Sequence, residues 1–217
     1  MDLVVVESNE IDARTRAALR VLWDQAFGDR FSDEDAEHAY GGVHVLMRGG
    51  GRLVGHASAV PRRLRFGDGR WRTVGYVEGV ATDPTRQGEG IGRTMMQRLH
   101  AEVAARWRVA LLSTGQAKPF YEALGWERWR GLSYTRTAQG VVPDGEHGGL
   151  MVLRLDPSVV PDLSVDVTCE HRSGDAWRAP GVAGFGRNTW GGAEAKWRRP
   201  ERRLRPVPAV AATAARA

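Results

Sequence analysis

Two stretches of this 217-residue chain carry residue types that can do chemistry, at a spacing that needs a physical reason. One is Gln87, Gly88, Glu89, Gly90, Ile91, Gly92, with three alternating glycines. Each glycine loses more backbone freedom on folding than any other residue and weakens a helix or strand interior. The other is Glu78 in "YVEGVA", a carboxylate set among Val77, Val80 and Ala81 on the run that leads into those glycines. The glycines separate the strand-like "TVGYVEGVA" from "IGRTMMQRLHAEVAARW", where Ile91, Met95, Leu99, Val103 and Trp107 fall on one helical face. A glycine-rich strand-to-helix junction is suited to an anion. The first N–H groups of a helix lack partners, the peptide dipoles add positive charge there, and missing side chains let phosphate oxygens approach the backbone. Two common phosphate motifs do not fit. A P-loop needs Lys and then Ser or Thr after its last glycine, and a dinucleotide fingerprint needs an acid about 20 residues further on, where this chain has Arg108.

The elements that must position these residues follow from the pattern. "LVVVES" reads as a first strand, and Ile11 to Phe27 as a surface helix. Its Ala17, Ala18, Val21, Leu22, Gln25 and Ala26 are expected on one side and Arg14, Arg16, Arg20 and Asp24 on the other. "HVLMRGGGRLVGHASAV" and "RLRFGDGRWRTVGYVEGVA" each read as strand, glycine-rich turn and strand, predicting three successive antiparallel strands. After the long helix, "VALLST" reads as a buried strand and "AKPFYEALGW" as a short helix stopped by Gly125.

Composition narrows the classes. The chain is long enough for one good core plus an appendage. No uncharged apolar run approaches the roughly 18 residues of a membrane span, and "MDLVVVESNE" lacks the features of a secretory signal. The single cysteine, Cys169, offers no internal disulfide or cysteine-based zinc site, which fits a reducing cytoplasm. The six histidines show no metal-ligand spacing, so no metal is expected and they read as surface or packing residues. The net charge of +5 is uneven: 10 of the 31 basic and 3 of the 26 acidic residues lie from Arg172 onward, leaving 21 against 23 in the first 171. The body is slightly acidic, which argues against a nucleic-acid partner. Residues 178–217, rich in Gly, Pro, Ala and Arg without periodicity, read as a largely disordered tail.

The pattern Gln-x-x-Gly-x-Gly at 87–92, followed by helix, buried strand and a short helix carrying Tyr121, resembles the coenzyme A pyrophosphate loop and core of the GNAT superfamily of N-acetyltransferases. "GYVEGVA", "FYEALGW", "HAYGGVH" after "DEDAE", the pair Arg62 and Arg63, and "CEHRSGDAW" further resemble the bacterial aminoglycoside 2′-N-acetyltransferases, over about residues 3 to 177. The resemblance implies an α/β (α+β) GNAT fold at 1–177: a mixed central sheet with antiparallel N-terminal strands and two parallel strands that splay around acetyl-coenzyme A. It assigns the cofactor to Val80, Ala81, Thr82, Gln87, Gly88, Glu89, Gly90, Ile91, Gly92 and Arg93. It makes Glu78 the base that deprotonates the amine, Tyr121 the acid that protonates the departing thiolate, and the Val80 N–H the group that polarises the thioester carbonyl. A positioned acid or base is worth about 10² to 10⁴ in rate.

For a polycationic aminoglycoside, the resemblance assigns Asp35, Gly79, Ser113, Glu146, Asp175 and Trp177 to the acceptor site with Glu78, and it allows a homodimer. Two departures bear on that acceptor. Arg30 stands where an acidic residue is expected, with Asp29 beside it, and the chain continues 40 residues past Trp177, so a terminal carboxylate there is missing. Two other functions stay open: acetylation of another small amine or a cell-wall amino sugar, and a non-catalytic acetyl-coenzyme A binder.

Overall fold

In this computed structural model, residues 1–144 and 148–177 are described; the expectations for Glu146, for the tail 178–217 and for a domain boundary at 177 lie outside them. In chain order the elements are β1 (Asp2–Glu7), α1 (Ala13–Phe27), α2 (Asp33–His38), β2 (Val43–Gly49), β3 (Arg52–Phe66), β4 (Arg72–Thr82), α3 (Ile91–Arg106), β5 (Val109–Ser113), α4 (Lys118–Glu122), β6 (Glu127–Arg128), β7 (Ser133–Thr137), β8 (Gly140–Pro143), β9 (Leu150–Arg154) and β10 (Val167–Glu170). No helix among the described residues is long and apolar enough to cross a membrane.

The mixed sheet is organised around β3. On one edge β3 pairs with β4; on the other it pairs with β2 through Ala59 and, further along, with β10 at Leu64 to Phe66. The three expected antiparallel strands β2, β3 and β4 therefore form. β4 pairs in parallel with β5 only at Gly75 with Ala110 and Tyr76 with Leu111, although β4 runs on to Thr82 and β5 to Ser113. The two strands part beyond that point, as the fold expectation requires.

The helices seat where the sequence offers an apolar stripe and the sheet offers room. In α3, Ile91, Met95, Leu99 and Val103 are buried as expected, joined by Met96. Burying side chains of this size stabilises by about 1.5–3 kcal/mol each. A Cβ at Gly55 of β3 would lie 2.6 Å from Met95 Sδ, so the missing side chain lets α3 sit close on the sheet. In α1 the buried face is Leu19, Leu22, Trp23, Ala26 and Phe27, while Val21 is 54% exposed. This corrects the expected face by about one residue: the stripe spaced i, i+3, i+4, i+7, i+8 carries the larger side chains and wins the core. The end of α4 is set by Gly125 at φ 88°, with Trp126 N–H donating to Tyr121 O (3.1 Å) and Gly125 N–H to Glu122 O (3.0 Å). That is the Schellman ending that only a residue at ease with positive φ allows.

Candidate active site

The gap between β4 and β5 opens beside the N-terminus of α3. A cavity of about 240 Å³ there is lined by Val80, Thr82, Gln87, Gly88, Gly90, Ile91, Gly92 and Arg93 from the expected cofactor set, together with Arg86, Ala117, Phe120 and Tyr121. Gly88 (φ 87°) and Gly90 (φ 79°) both occupy the left-handed region, where a side chain is strained. Gly90 caps α3, and the first helical bond is Thr94 N–H to Gly90 O at 3.0 Å, so the N–H groups of Ile91, Gly92 and Arg93 precede the ladder. Upstream, the loop is anchored by Asp83. Its buried carboxylate accepts from Thr85 N (2.9 Å) and Oγ1 (2.7 Å), bonds that hold it below the usual carboxylate range, and it pairs with Arg52 (2.7 Å). Two expected cofactor residues point elsewhere. Glu89 pairs with Arg86 at the surface, and Ala81 packs with Trp23 and Leu22 under α1.

Between β3 and β4 the register slips: His56 faces Ala81 and Ser58 faces Glu78, which sets Ala57 against the two residues Gly79 and Val80. The extra residue resets the alternation: Glu78 shares Arg62 and Arg172 with Tyr76 on one face of β4, whereas Val80 packs with Val77 toward α3. Gly79 takes φ 58° there, and a Cβ on it would crowd Trp23 Nε1, Ala39 Cβ and His56 Cε1 at 3.2–3.3 Å.

Glu78 is 2% exposed. Burial pushes its carboxyl up to about 7, against the pull of Arg172, whose Nη1 lies 2.7 Å from Glu78 Oε1, and of Arg62. Around this pair, Arg62 lies over the rings of Tyr76 (4.6 Å) and Trp177 (5.8 Å), and Tyr76 Oη donates to Trp177 O (2.6 Å). The segment after β10 thus folds back over β4 and brings Arg172 to Glu78. Arg172 and Arg62 also line a second cavity of about 440 Å³, with Tyr40, Gly41, Pro61 and Arg63 among its other walls.

The expected acceptor residues are only partly brought together. Asp35 caps α2, its Oδ2 accepting from Ser32 N (2.9 Å) and Oγ (3.0 Å), yet its charge reaches Glu78 and adds to the upward push. Asp175 accepts from Trp177 N (2.9 Å), shaping the turn that buries Trp177. Ser113 ends β5 opposite Leu150. Tyr121 is 4% exposed, lines the cofactor cavity with Val80, and burial raises its phenol, so it keeps its proton. Arg30, the departure, turns back to Phe27 O (3.3 Å).

Three groups were not singled out from sequence. Arg86, Ala117 and Phe120 line the cofactor cavity. Arg172 sits within "CEHRSGDAW", but nothing in spacing ties it to a carboxylate 94 positions earlier. His44 and His56, read as surface or packing residues, are fully buried, His56 hydrogen-bonded to Gly79 O at the bulge and His44 to His56. Among the described residues no cluster of His, Cys, Asp or Glu is arranged to hold a metal ion.

Comparison with known proteins agrees with this geometry. Residues 11–129 match the family model described as an acetyltransferase (GNAT) domain. An aminoglycoside 2′-N-acetyltransferase of Mycolicibacterium fortuitum is 33% identical over 177 residues, covering 80% of this chain and 90% of that protein. A glucosamine 6-phosphate N-acetyltransferase of Trypanosoma brucei brucei is 38% identical over 80 residues, 35% of this chain and 51% of that protein. Among solved structures, a GNAT family N-acetyltransferase of Escherichia coli in complex with CoA superposes with a TM-score of 0.57 at 16% identity, over 82% of this chain and 95% of that one. The cavity suits the group that complex contains: a side-chain-free turn and a helix N-terminus for phosphates, Arg86 and Arg93 for their charge, and an opening between β4 and β5 for a thin arm. The family match, the near full-length relative and the splayed strands at a glycine-capped helix place the chain in the GNAT acetyltransferase family, whose cosubstrate is acetyl-coenzyme A.

Proposed function

We propose that this enzyme transfers the acetyl group of acetyl-coenzyme A to the 2′-amine of an aminoglycoside by direct attack, with Glu78 as general base and Tyr121 as general acid. The observation that carries this reading is the 33% identity to an aminoglycoside 2′-N-acetyltransferase along 90% of that relative's length. The catalytic domain is residues 1–177, with 178–217 as an appendage, and the enzyme works in the cytoplasm.

The cosubstrate supplies an acetyl thioester; the chain supplies position and proton traffic. Gln87, Gly88, Gly90, Gly92 and Arg93 hold the phosphates at the α3 N-terminus. The acceptor amine is an ammonium at neutral pH and cannot attack until it loses a proton. Glu78, near 7, is half ionised there and takes that proton, directly or through water. Val80 N–H polarises the carbonyl under attack. Tyr121, kept protonated by burial, gives its proton to the departing thiolate. The Glu78 carboxylate already faces one cation, Arg172, whose Nε and Nη2 have no hydrogen-bond partner among the described residues. An acceptor ammonium with better alignment can take that place.

A second reading keeps the chemistry and changes the acceptor to an amino sugar with an acidic group. It is favoured by Arg62, Arg63 and Arg172 on the walls of the second cavity, where they outnumber the carboxylates Glu37 and Glu170. The deciding experiment is release of free coenzyme A thiol from acetyl-coenzyme A with kanamycin B, which has a 2′-amine, against kanamycin A, which has a hydroxyl there. Turnover with the first alone is expected. No turnover with either, while coenzyme A still binds, overturns the aminoglycoside reading and leaves the second.

A further inference from the structure

We infer that Ser8, His44 and His56 are positioning residues, forming a directed hydrogen-bond chain that fixes the Gly79–Val80 bulge between the base and the thioester. Gly79 O can only accept. It receives His56 Nδ1 at 2.7 Å and Trp23 Nε1 at 3.1 Å; Trp23 Nε1 also lies 3.3 Å from His56 Nδ1, the longer of its two contacts, and a bare Nδ1 would set two acceptors 2.7 Å apart. His56 therefore carries a proton on Nδ1. In the neutral ring its Nε2 is then a bare acceptor, and the atom facing it, His44 Nδ1 at 3.0 Å, must donate. That leaves His44 Nε2 as an acceptor, met at 2.7 Å by Ser8 Oγ. The Ser8 hydroxyl also lies 2.9 Å from Gly42 O, but its single proton is needed by His44 Nε2, which among the described residues has no other donor, whereas Gly42 O also receives Ser8 N–H at 2.9 Å. Ser8 Oγ in turn accepts from the N–H groups of Gly41 (2.7 Å) and Gly42 (2.9 Å).

The chain thus runs in one direction: Ser8 to His44 to His56 to Gly79 O. A proton added to His56 Nε2 would face the His44 Nδ1 proton and break the chain. Burial opposes that charge, holding His44 at about 3 and His56 at about 4. Both rings are 0% exposed, so neither reaches substrate or solvent. What they hold is the carbonyl of the one residue that separates Glu78 from Val80. A core needs only a hydrophobe at these positions; a polar chain with two fixed tautomers ending on the bulge carbonyl sets an orientation instead. A small misplacement of a catalytic group from a distant change can cost about 10² in rate.

The inference rests on the roles given above to Glu78 and Val80, not on the identity of the acceptor. Its first test needs no substrate. Long-range ¹H–¹⁵N spectra should show both histidines neutral with the proton on Nδ1 near neutral pH, and Ser8→Ala should shift the amide signals of Gly79 and Val80 at the far end. The second test is kinetic, with kanamycin B. His56→Leu should lower kcat by about 10² with coenzyme A affinity within about twofold, whereas His56→Asn, whose amide nitrogen sits near the place of Nδ1, should recover about tenfold. Should His56→Leu fail to fold, Ser8→Ala decides, with a severalfold loss of kcat and little change in KM. A proton on His56 Nε2, or a folded leucine or Ser8→Ala variant with unchanged kcat, overturns the inference. If the wild-type protein does not acetylate kanamycin B, the acceptor reading fails and the spectra alone decide this one.

Discussion

The two sides of the active cleft are built by different means. The cofactor side is assembled from one contiguous stretch, Val80 to Arg93, with Tyr121 and its neighbours closing it from α4. What it offers is backbone: glycines at positive φ and a helix N-terminus. The acceptor side gathers Glu78 from β4, Arg62 from β3, Asp35 from α2, and Arg172 and Trp177 from the segment after β10. What it offers is buried charge. Binding by backbone needs one local sequence pattern, whereas charge tuning needs residues far apart in the chain to meet.

The largest test of that division is Glu78→Gln. The substitution keeps shape and removes the base, so kcat should fall by about 10² to 10⁴. Coenzyme A affinity by calorimetry should stay within about twofold, because no atom of Glu78 lines the cofactor cavity. An equal loss of cofactor affinity would mean that the two sides are one unit.

The same division explains what could be read from sequence. Gly88, Gly90 and the Ile91–Val103 stripe announce a glycine-rich strand-to-helix junction because turn chemistry and helical period are local signals, and the structure has that junction between β4 and α3. The antiparallel strands β2 to β4 were legible from alternation around glycine turns. The α1 face was misjudged because several small residues gave a stripe of similar period beside the heavier one. Glu78 was visible as a carboxylate among hydrophobes, but its partner was not. Arg172 meets it only because β10 returns to the edge of β3 and its continuation crosses β4, a topological event without local signature. The histidines were dismissed on metal spacing, which is blind to a chain of hydrogen bonds between Ser8, His44 and His56.

Replacing Arg172 by Ala sharpens the acceptor side itself. A base acts in its ionised form, so under the proposed role of Glu78 the rate should rise with pH through its value near 7. Burial raises that value and Arg172 lowers it. Losing the guanidinium removes the lowering part, and the midpoint of kcat/KM should move upward by about one unit or more. At pH 7 the variant should be roughly fivefold slower or more, and by pH 9 it should equal or exceed wild type, since the base is ionised and no guanidinium competes with the incoming ammonium. A uniform loss at all pH values would instead make Arg172 part of acceptor binding.

The smallest expected effect lies on the cofactor side, at Gly90→Ala. Gly90 has φ 79° and open space around its Cα, so an added methyl meets no neighbour and the cost is backbone strain alone. That strain is about 1–2 kcal/mol for a residue with a Cβ. In a domain of this size each kcal/mol lowers the melting temperature by about 2–4 °C. If the turn relaxes to shed the strain, the N–H groups of Ile91, Gly92 and Arg93 lose their aim. The Michaelis constant for acetyl-coenzyme A should then rise severalfold while kcat stays within about twofold, because Glu78, Val80 and Tyr121 do not move. That outcome is the reverse of Glu78→Gln in both constants. A Gly90→Ala variant that lost kcat and kept its Michaelis constant would show that the α3 N-terminus shapes the reacting centre as well as holding the cofactor, and the division between the two sides would fall.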